Sequence, residues 1–163
     1  MMLERYCMTK SQKESHKEMK VFVVDGNPST WKEAIEFSSS ILLKEGCVKE
    51  NFAQSCIDRE NNYPTGLPTA LPVAIPHSEE RDSVLEQAVC LLRLAKPVKF
   101  RNMENIEEEI EVDAVLHLAI KEGEVQLKAL QSTISLFQDK NFTDLFRKCS
   151  EDELRDMFVS QWK

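Results

Sequence analysis

His77 closes a short apolar run, Val73-Ala74-Ile75-Pro76, at the end of a loop built from turn residues. The loop opens just after Arg59-Glu60 and reads Asn61-Asn62-Tyr63-Pro64-Thr65-Gly66-Leu67-Pro68-Thr69-Ala70-Leu71-Pro72. Four of the six prolines in the chain fall between positions 64 and 76. Proline fixes its own φ and pushes the preceding residue toward extended geometry, so this backbone is stiff and non-helical. A neutral imidazole is a competent nucleophile near pH 7, because its reference pKa is ~6.5. One ring nitrogen must be free to attack while the other keeps its proton. The residues alone leave two readings: a reactive ring held in a fixed place, or a surface histidine in a proline-rich turn.

The positioning elements can be read on either side of that loop. Val21-Phe22-Val23-Val24 predicts a strand, ended by Asp25-Gly26-Asn27-Pro28. Thr30 and Glu33 form a capping-box pattern that opens a helix to about Glu45, with Ala34, Ile35, Ile41 and Leu42 on one face and Gly46 as the stop. A second helix runs from about Lys49 to Glu60, with Phe52, Cys56 and Ile57 inward, so Arg59-Glu60 lies in its last turn. Val73 to Ile75 is a short strand, and Ser78 to Val84 a polar connection with room for one helical turn. Gln87 to Ala95 is almost continuously apolar, as a strand covered on both faces would be, and Pro97 should break it. After an acidic loop, Glu104 to Glu111, comes a strand from Val112 to Ile120. A helix follows from about Glu124 to Gln138, with Leu127, Leu130, Ile134 and Phe137 as its stripe. A short helix near 142–148 precedes a last one that Ser150 and Glu153 cap, burying Leu154, Met157 and Phe158.

Strands alternating with helices define an α/β fold in a single domain, residues 19–163, behind a poorly ordered extension over 1–18. The strands 87–95 and 112–120 follow one another directly and can pair antiparallel. A mixed β-sheet flanked by helices on both faces is therefore expected.

A net charge of −7 argues against nucleic acid, whose phosphates need a basic face, and favours a basic protein partner. No stretch approaches the ~20 apolar residues of a membrane span, and no signal peptide is visible, so a cytoplasmic location without membrane insertion is expected. The five cysteines, Cys7, Cys47, Cys56, Cys90 and Cys149, are widely spaced and read as reduced thiols, with Cys56 and Cys90 in the core. No spacing suits a metal, and no cofactor is called for. Glu107-Glu108-Glu109 reads as a solvated run, which leaves a metal-dependent hydrolase using His77 and His117 without support.

Three segments, Arg59-Glu60, Tyr63-Pro64-Thr65-Gly66-Leu67-Pro68-Thr69 and Val73-Ala74-Ile75-Pro76-His77, together resemble the signature of the IIA proteins of bacterial sugar phosphotransferase systems. The likeness is to the fructose–mannitol superfamily, over roughly Val21 to Phe158. The P-T-G-L-P-T wording, Pro97-Val98 with Phe100 and Met103, and Leu118-Ala119-Ile120 look closest to its galactitol-type branch. The resemblance implies the mannitol-type IIA fold and a phosphorelay. The carrier HPr would donate a phosphoryl group to Nε2 of His77, and His77 would pass it to a cysteine of IIB. The sugar, galactitol-like by this branch, would be phosphorylated later, at the membrane component IIC.

By the same resemblance Arg59 would clamp the phosphoryl oxygens, a task that suits a guanidinium fork. Thr65, Ser78 and Glu60 are further candidates near that group. Thr65 and Thr69 can equally bond the backbone of their own turn, which is the commoner use of threonine. Ser78 and the loop carbonyls are candidates for holding the second ring nitrogen of His77. Mannitol-type members often carry a second histidine where Val125 stands here. His117 does not replace it: it falls within a strand, where a packed or hydrogen-bonded ring is expected. A regulatory module of nitrogen type, reporting its phosphorylation state to other proteins, is the alternative function.

Overall fold

Strands β1 (Lys20–Gly26), β2 (Gly66–Leu67), β3 (Val73–Ala74), β4 (Ala88–Arg101) and β5 (Glu109–Ala119) form one sheet in the order β1-β4-β5-β3-β2. The structure is a computed structural model that describes residues 19–162. The extension expected over 1–18 lies outside the described residues. Pairing alternates: β1 is parallel to β4, β4 antiparallel to β5, β5 parallel to β3, and β3 antiparallel to β2. The expected antiparallel pair is thus the centre of the sheet, with Ala88 opposite Ala119 and Arg101 opposite Glu109.

Pro97 does not end its strand. The register of β4 shifts between Arg93 and Val98, and the strand then continues to Arg101. Ala95, Lys96 and Pro97 are exposed in this bulge, where no ladder donor is required and a residue without N–H does no harm.

Among the described residues five helices cover the sheet: α1 (Trp31–Lys44), α2 (Phe52–Asn62), α3 (Gly123–Gln138), α4 (Lys140–Phe146) and α5 (Glu151–Gln161). Alternation along β4 sorts the two cores. Ala88, Cys90, Leu92 and Leu94 meet α1 and α2 through Ile35, Leu42, Phe52 and Cys56. Val89 and Leu91 face the other way, toward Phe137, Phe142, Phe146 and Phe158 of α3, α4 and α5. Phe137 meets Phe142 edge-on with ring centroids 5.1 Å apart, an arrangement that contributes about 1 kcal/mol beyond its buried area.

The caps were readable. Thr30 accepts from Glu33 N at 3.2 Å, and Ser29 N donates to the Glu33 carboxylate at 2.9 Å. Gly46, at φ +76°, ends α1: its N–H reaches Leu43 O while Cys47 N reaches Leu42 O, so both orphan carbonyls are satisfied. Ser150 and Glu153 complete a reciprocal box at the start of α5.

The stripe expected on α3 is only partly buried. Phe137 is in the core together with Ala129, Thr133 and Leu136, but Leu127 is 56% exposed and Ile134 37%. Met157 on α5 is half-buried rather than buried. The hydrophobic period located these helices correctly; the exposed members border the cleft described next or continue along α3 from it.

Candidate active site

Because β3 and β5 run parallel, the end of β3, the end of β5 and the start of α3 lie at one edge of the sheet. The last turn of α2 arrives at the same place. A cleft of about 620 Å3 opens there, lined by Arg59, Thr65, Ile75 and His77 among others. Gly123, Gln126, Leu127 and Leu130 bring the N-terminal part of α3 to it, so a positive helix end faces the space.

His77 follows β3 by three residues. Leu118 N donates to Pro76 O at 3.0 Å, which ties the segment to β5 beyond the last ladder pair. The ring is half-buried, and its Nδ1 lies 3.0 Å from the carbonyl oxygen of Ile75. A carbonyl only accepts, so Nδ1 carries the proton. Nε2 is then the lone-pair nitrogen, and it has no hydrogen-bond partner among the described residues. Burial, then the nearby Arg59 charge, hold the ring's pKa down at about 4, against a smaller upward pull from the Ile75 carbonyl. The imidazole is therefore neutral at physiological pH.

Arg59 stands in the last turn of α2. Its Nη1 donates to Tyr63 O at 3.0 Å, and its guanidinium carbon lies 5.6 Å from the centre of the Tyr63 ring. These contacts leave other guanidinium donors unbonded among the described residues. The helix end is anchored from the sheet: Arg101 Nη2 donates to Glu60 O at 3.2 Å and, more closely, to Asn61 O.

Glu60 and Thr65 line up behind the histidine. The Glu60 carboxylate is buried and accepts from Thr65 N at 2.7 Å and from Thr65 Oγ1 at 2.8 Å. Thr65 Oγ1 in turn accepts from Ile75 N at 3.0 Å. Burial pushes the Glu60 pKa up to about 7, although the Thr65 donors and the Arg59 and Arg101 charges pull it down. The single hydroxyl proton of Thr65 is thus committed to the Glu60 side chain, so Thr65 bridges helix and strand and does not bond the backbone of its own turn. Thr69 does make the expected turn bond, donating to Leu71 O at 2.7 Å.

Ser78 is directed elsewhere. Its hydroxyl meets Ser55 and Ser83 and accepts from Glu80 N at 2.9 Å, in a cluster that fastens the 78–83 turn to α2. It does not hold His77; the Ile75 carbonyl does. That turn contains a 3-10 segment, Arg81–Ser83, as the polar connection allowed.

His117 is fully buried on the opposite side of β5, under α1 and α2. It stacks on Phe52 at 5.0 Å, with Nδ1 2.6 Å from Ser38 Oγ and Nε2 3.1 Å from Cys56 Sγ. Ser38 Oγ can itself donate to Ala34 O at 3.0 Å. An Nδ1–H tautomer satisfies the whole chain, with the Cys56 thiol donating to Nε2. Burial, with a further contribution from His77, lowers its pKa to about 3. This is the packed sheet histidine that the sequence suggested, and it does not line the cleft. Val125 is half-buried against the second core.

Sequence reasoning missed the apolar rim. Tyr63, Met103, Ile106 and Leu127 line the cleft, and all four are exposed. The available signal was Met103 and Ile106 themselves, two large apolar side chains in an otherwise acidic loop.

Sequence and fold together match one class of protein. The family model described as phosphoenolpyruvate-dependent sugar phosphotransferase system, EIIA 2, matches residues 15–160. Ascorbate-specific EIIA components of Shigella boydii and Escherichia coli K12 are each 24% identical over 147 residues, covering 89% of this chain and 93% of theirs. The crystal structure of mannitol IIA from Escherichia coli matches with a TM-score of 0.69 at 25% identity, over 85% of this chain and 94% of that one. The nitrogen regulatory protein IIA-Ntr of Neisseria meningitidis shares the fold, with a TM-score of 0.63 at 19% identity, over 83% of this chain and 91% of that one. The chain belongs to the EIIA type 2 family of sugar phosphotransferase systems, and it is a phosphoryl-transfer component working through a phosphohistidine. The relatives named here are of ascorbate, mannitol and nitrogen-regulatory type; none of them carries the galactitol label that the loop wording suggested. No described helix is long and apolar enough to cross a membrane, and no described group of three or more His, Cys, Asp or Glu could hold a metal.

Proposed function

We propose that His77 is the phosphoryl carrier: it accepts the group from phosphorylated HPr on Nε2 and passes it to a cysteine of a IIB protein. The observation that carries this reading is the pairing of Nδ1–H with Ile75 O in a cleft shared with Arg59, which leaves a neutral Nε2 available. In the first transfer the Nε2 lone pair attacks phosphorus, and the bond from phosphorus to the donor imidazole breaks, its electrons staying with the donor. In the second, a IIB thiolate attacks, the P–Nε2 bond breaks, and His77 is again neutral. The transition state is loose, with charge on the equatorial oxygens, so positioning and electrostatics do the work. Arg59 supplies the cationic fork, and the N-terminus of α3 adds its dipole.

Docking uses the surface around the cleft. The apolar rim of Tyr63, Met103, Ile106 and Leu127 suits a protein partner, and Glu104 among the lining residues favours one with basic side chains. HPr and IIB would occupy this surface in turn. One solved relative, the complex of mannitol IIA with phosphorylated mannitol IIB from Escherichia coli, supports that pairing by fold likeness, with a TM-score of 0.69. We assign the transported compound to the sugar-like polyhydroxy class to which ascorbate, mannitol and galactitol all belong. It would meet the membrane component IIC and never this chain, which acts in the cytoplasm.

Incubation with HPr, its upstream kinase and phosphoenolpyruvate should label the protein with acid-labile, base-stable phosphate, and His77→Gln should abolish the label. Persistence of the label in that variant would refute the assignment. Arg59→Ala should keep the fold and slow transfer by ~10³-fold; an unchanged rate would remove Arg59 from the mechanism.

A further inference from the structure

We propose that Glu60, acting through Thr65, is a positioning residue that fixes the tautomer of His77. The inference rests on the phosphoryl-carrier reading for its purpose, but its geometry stands independently. The Glu60 carboxylate is buried, and both of its oxygens are used on one residue, Thr65, one on the amide and one on the hydroxyl. With its proton directed at Glu60, Thr65 Oγ1 has a lone pair to offer, and Ile75 N takes it. Ile75 N also lies 3.3 Å from Thr65 O, so Thr65 holds this amide from two oxygens. Ile75 is the residue whose carbonyl receives Nδ1–H of His77.

A buried carboxylate needs a reason, because an ionisable group in an apolar surround carries a large desolvation penalty unless its hydrogen bonds compensate. A merely structural strut between α2 and β3 could be apolar. In its ionised form, which the two Thr65 donors favour against burial, Glu60 is acceptor-only and gives Thr65 a single hydroxyl orientation, since a carboxylate cannot donate back to it. That orientation fixes Ile75, and Ile75 fixes which imidazole nitrogen keeps the proton. Without the carboxylate, the hydroxyl can turn toward other acceptors, Ile75 loses the nearer of its two partners, and the Nε2–H tautomer, which has no lone pair at the attacking atom, becomes populated.

Long-range proton–nitrogen NMR of the intact protein reads the ring directly. Wild type should give His77 shifts of one Nδ1–H tautomer. Glu60→Gln and Thr65→Val should shift His77 toward the mixed tautomers of free imidazole, while the shifts of His117, in the other core, stay put and report an intact fold. Thr65→Ser, which keeps the hydroxyl, should restore the wild-type pattern. Phosphorylation by HPr should slow by roughly 10- to 100-fold in the first two variants, the scale on which small misplacements act, and recover in the third. Unchanged His77 shifts in both Glu60→Gln and Thr65→Val would overturn the proposal. Tautomer changes as expected, in a protein that HPr never phosphorylates, would instead uphold the positioning and reject the carrier function. If Glu60→Gln fails to fold, the Thr65→Val and Thr65→Ser pair decides alone.

Discussion

At the scale of single residues, His77 and His117 show how surroundings divide one side-chain type into two roles. Both rings are neutral, and both carry the proton on Nδ1. His117 spends its second nitrogen on Cys56, whereas His77 keeps Nε2 unbonded. With a pKa near 4, His77 is protonated in only about one molecule in a thousand at pH 7. Phosphoryl acceptance should therefore stay level as pH falls from 7 to 5.5, since an acid is a problem only where it protonates Nε2. An imidazole of ordinary pKa would lose most of its rate over that range. Arg59 is one of the causes of the depression, so Arg59→Ala should raise the His77 midpoint in an NMR titration. A wild-type midpoint near 6.5 would show that neither burial nor the guanidinium acts on the ring as described.

At the scale of elements, the site depends on how closely the 63–68 loop packs on β4. A Cβ added at Gly66 would sit 2.6 Å from Arg101 O, a backbone atom that cannot step aside. Met103 N also bonds Gly66 O at 2.8 Å, so the end of β4 both crowds Gly66 and holds it in place. Gly66→Ala should destabilise the protein by about 1–3 kcal/mol, the usual range for overpacking, and should slow transfer by displacing Thr65. Urea unfolding together with transfer kinetics checks this; wild-type values in both would mean that the loop tolerates a shift. The sequence announced much of this level. Thr30 with Glu33, Gly46, and Ser150 with Glu153 are local chemistry, and each cap formed where its residues said it would. Pro97 misled because a missing N–H breaks a regular ladder but not a bulge, and a bulge depends on the facing strand. Leu127 and Ile134 misled because an apolar period says which face is hydrophobic, not whether the protein itself covers all of it. That His77 and Arg59 come together was legible from the loop and helix end, and both line the cleft. The Ile75 carbonyl and the Glu60–Thr65 brace were less so, because backbone groups and folded-back loops leave little mark on a one-dimensional pattern.

At the scale of the whole molecule, the mixed sheet gathers the ends of β3 and β5, the end of α2 and the beginning of α3 at one edge. A cleft with an apolar rim results there, and on the function proposed above two partners would meet it one after the other. A net charge of −7 suits fast encounter with basic partners and rapid release. What the molecule does as a carrier comes down to which atom bears the phosphate. Nitrogen–phosphorus coupling in the 15N-labelled protein, after phosphorylation by HPr, reads that atom. A single one-bond coupling at Nε2 of His77 is expected, with both nitrogens of His117 unchanged. Coupling at Nδ1, or phosphate found on any other residue, would contradict the transfer geometry.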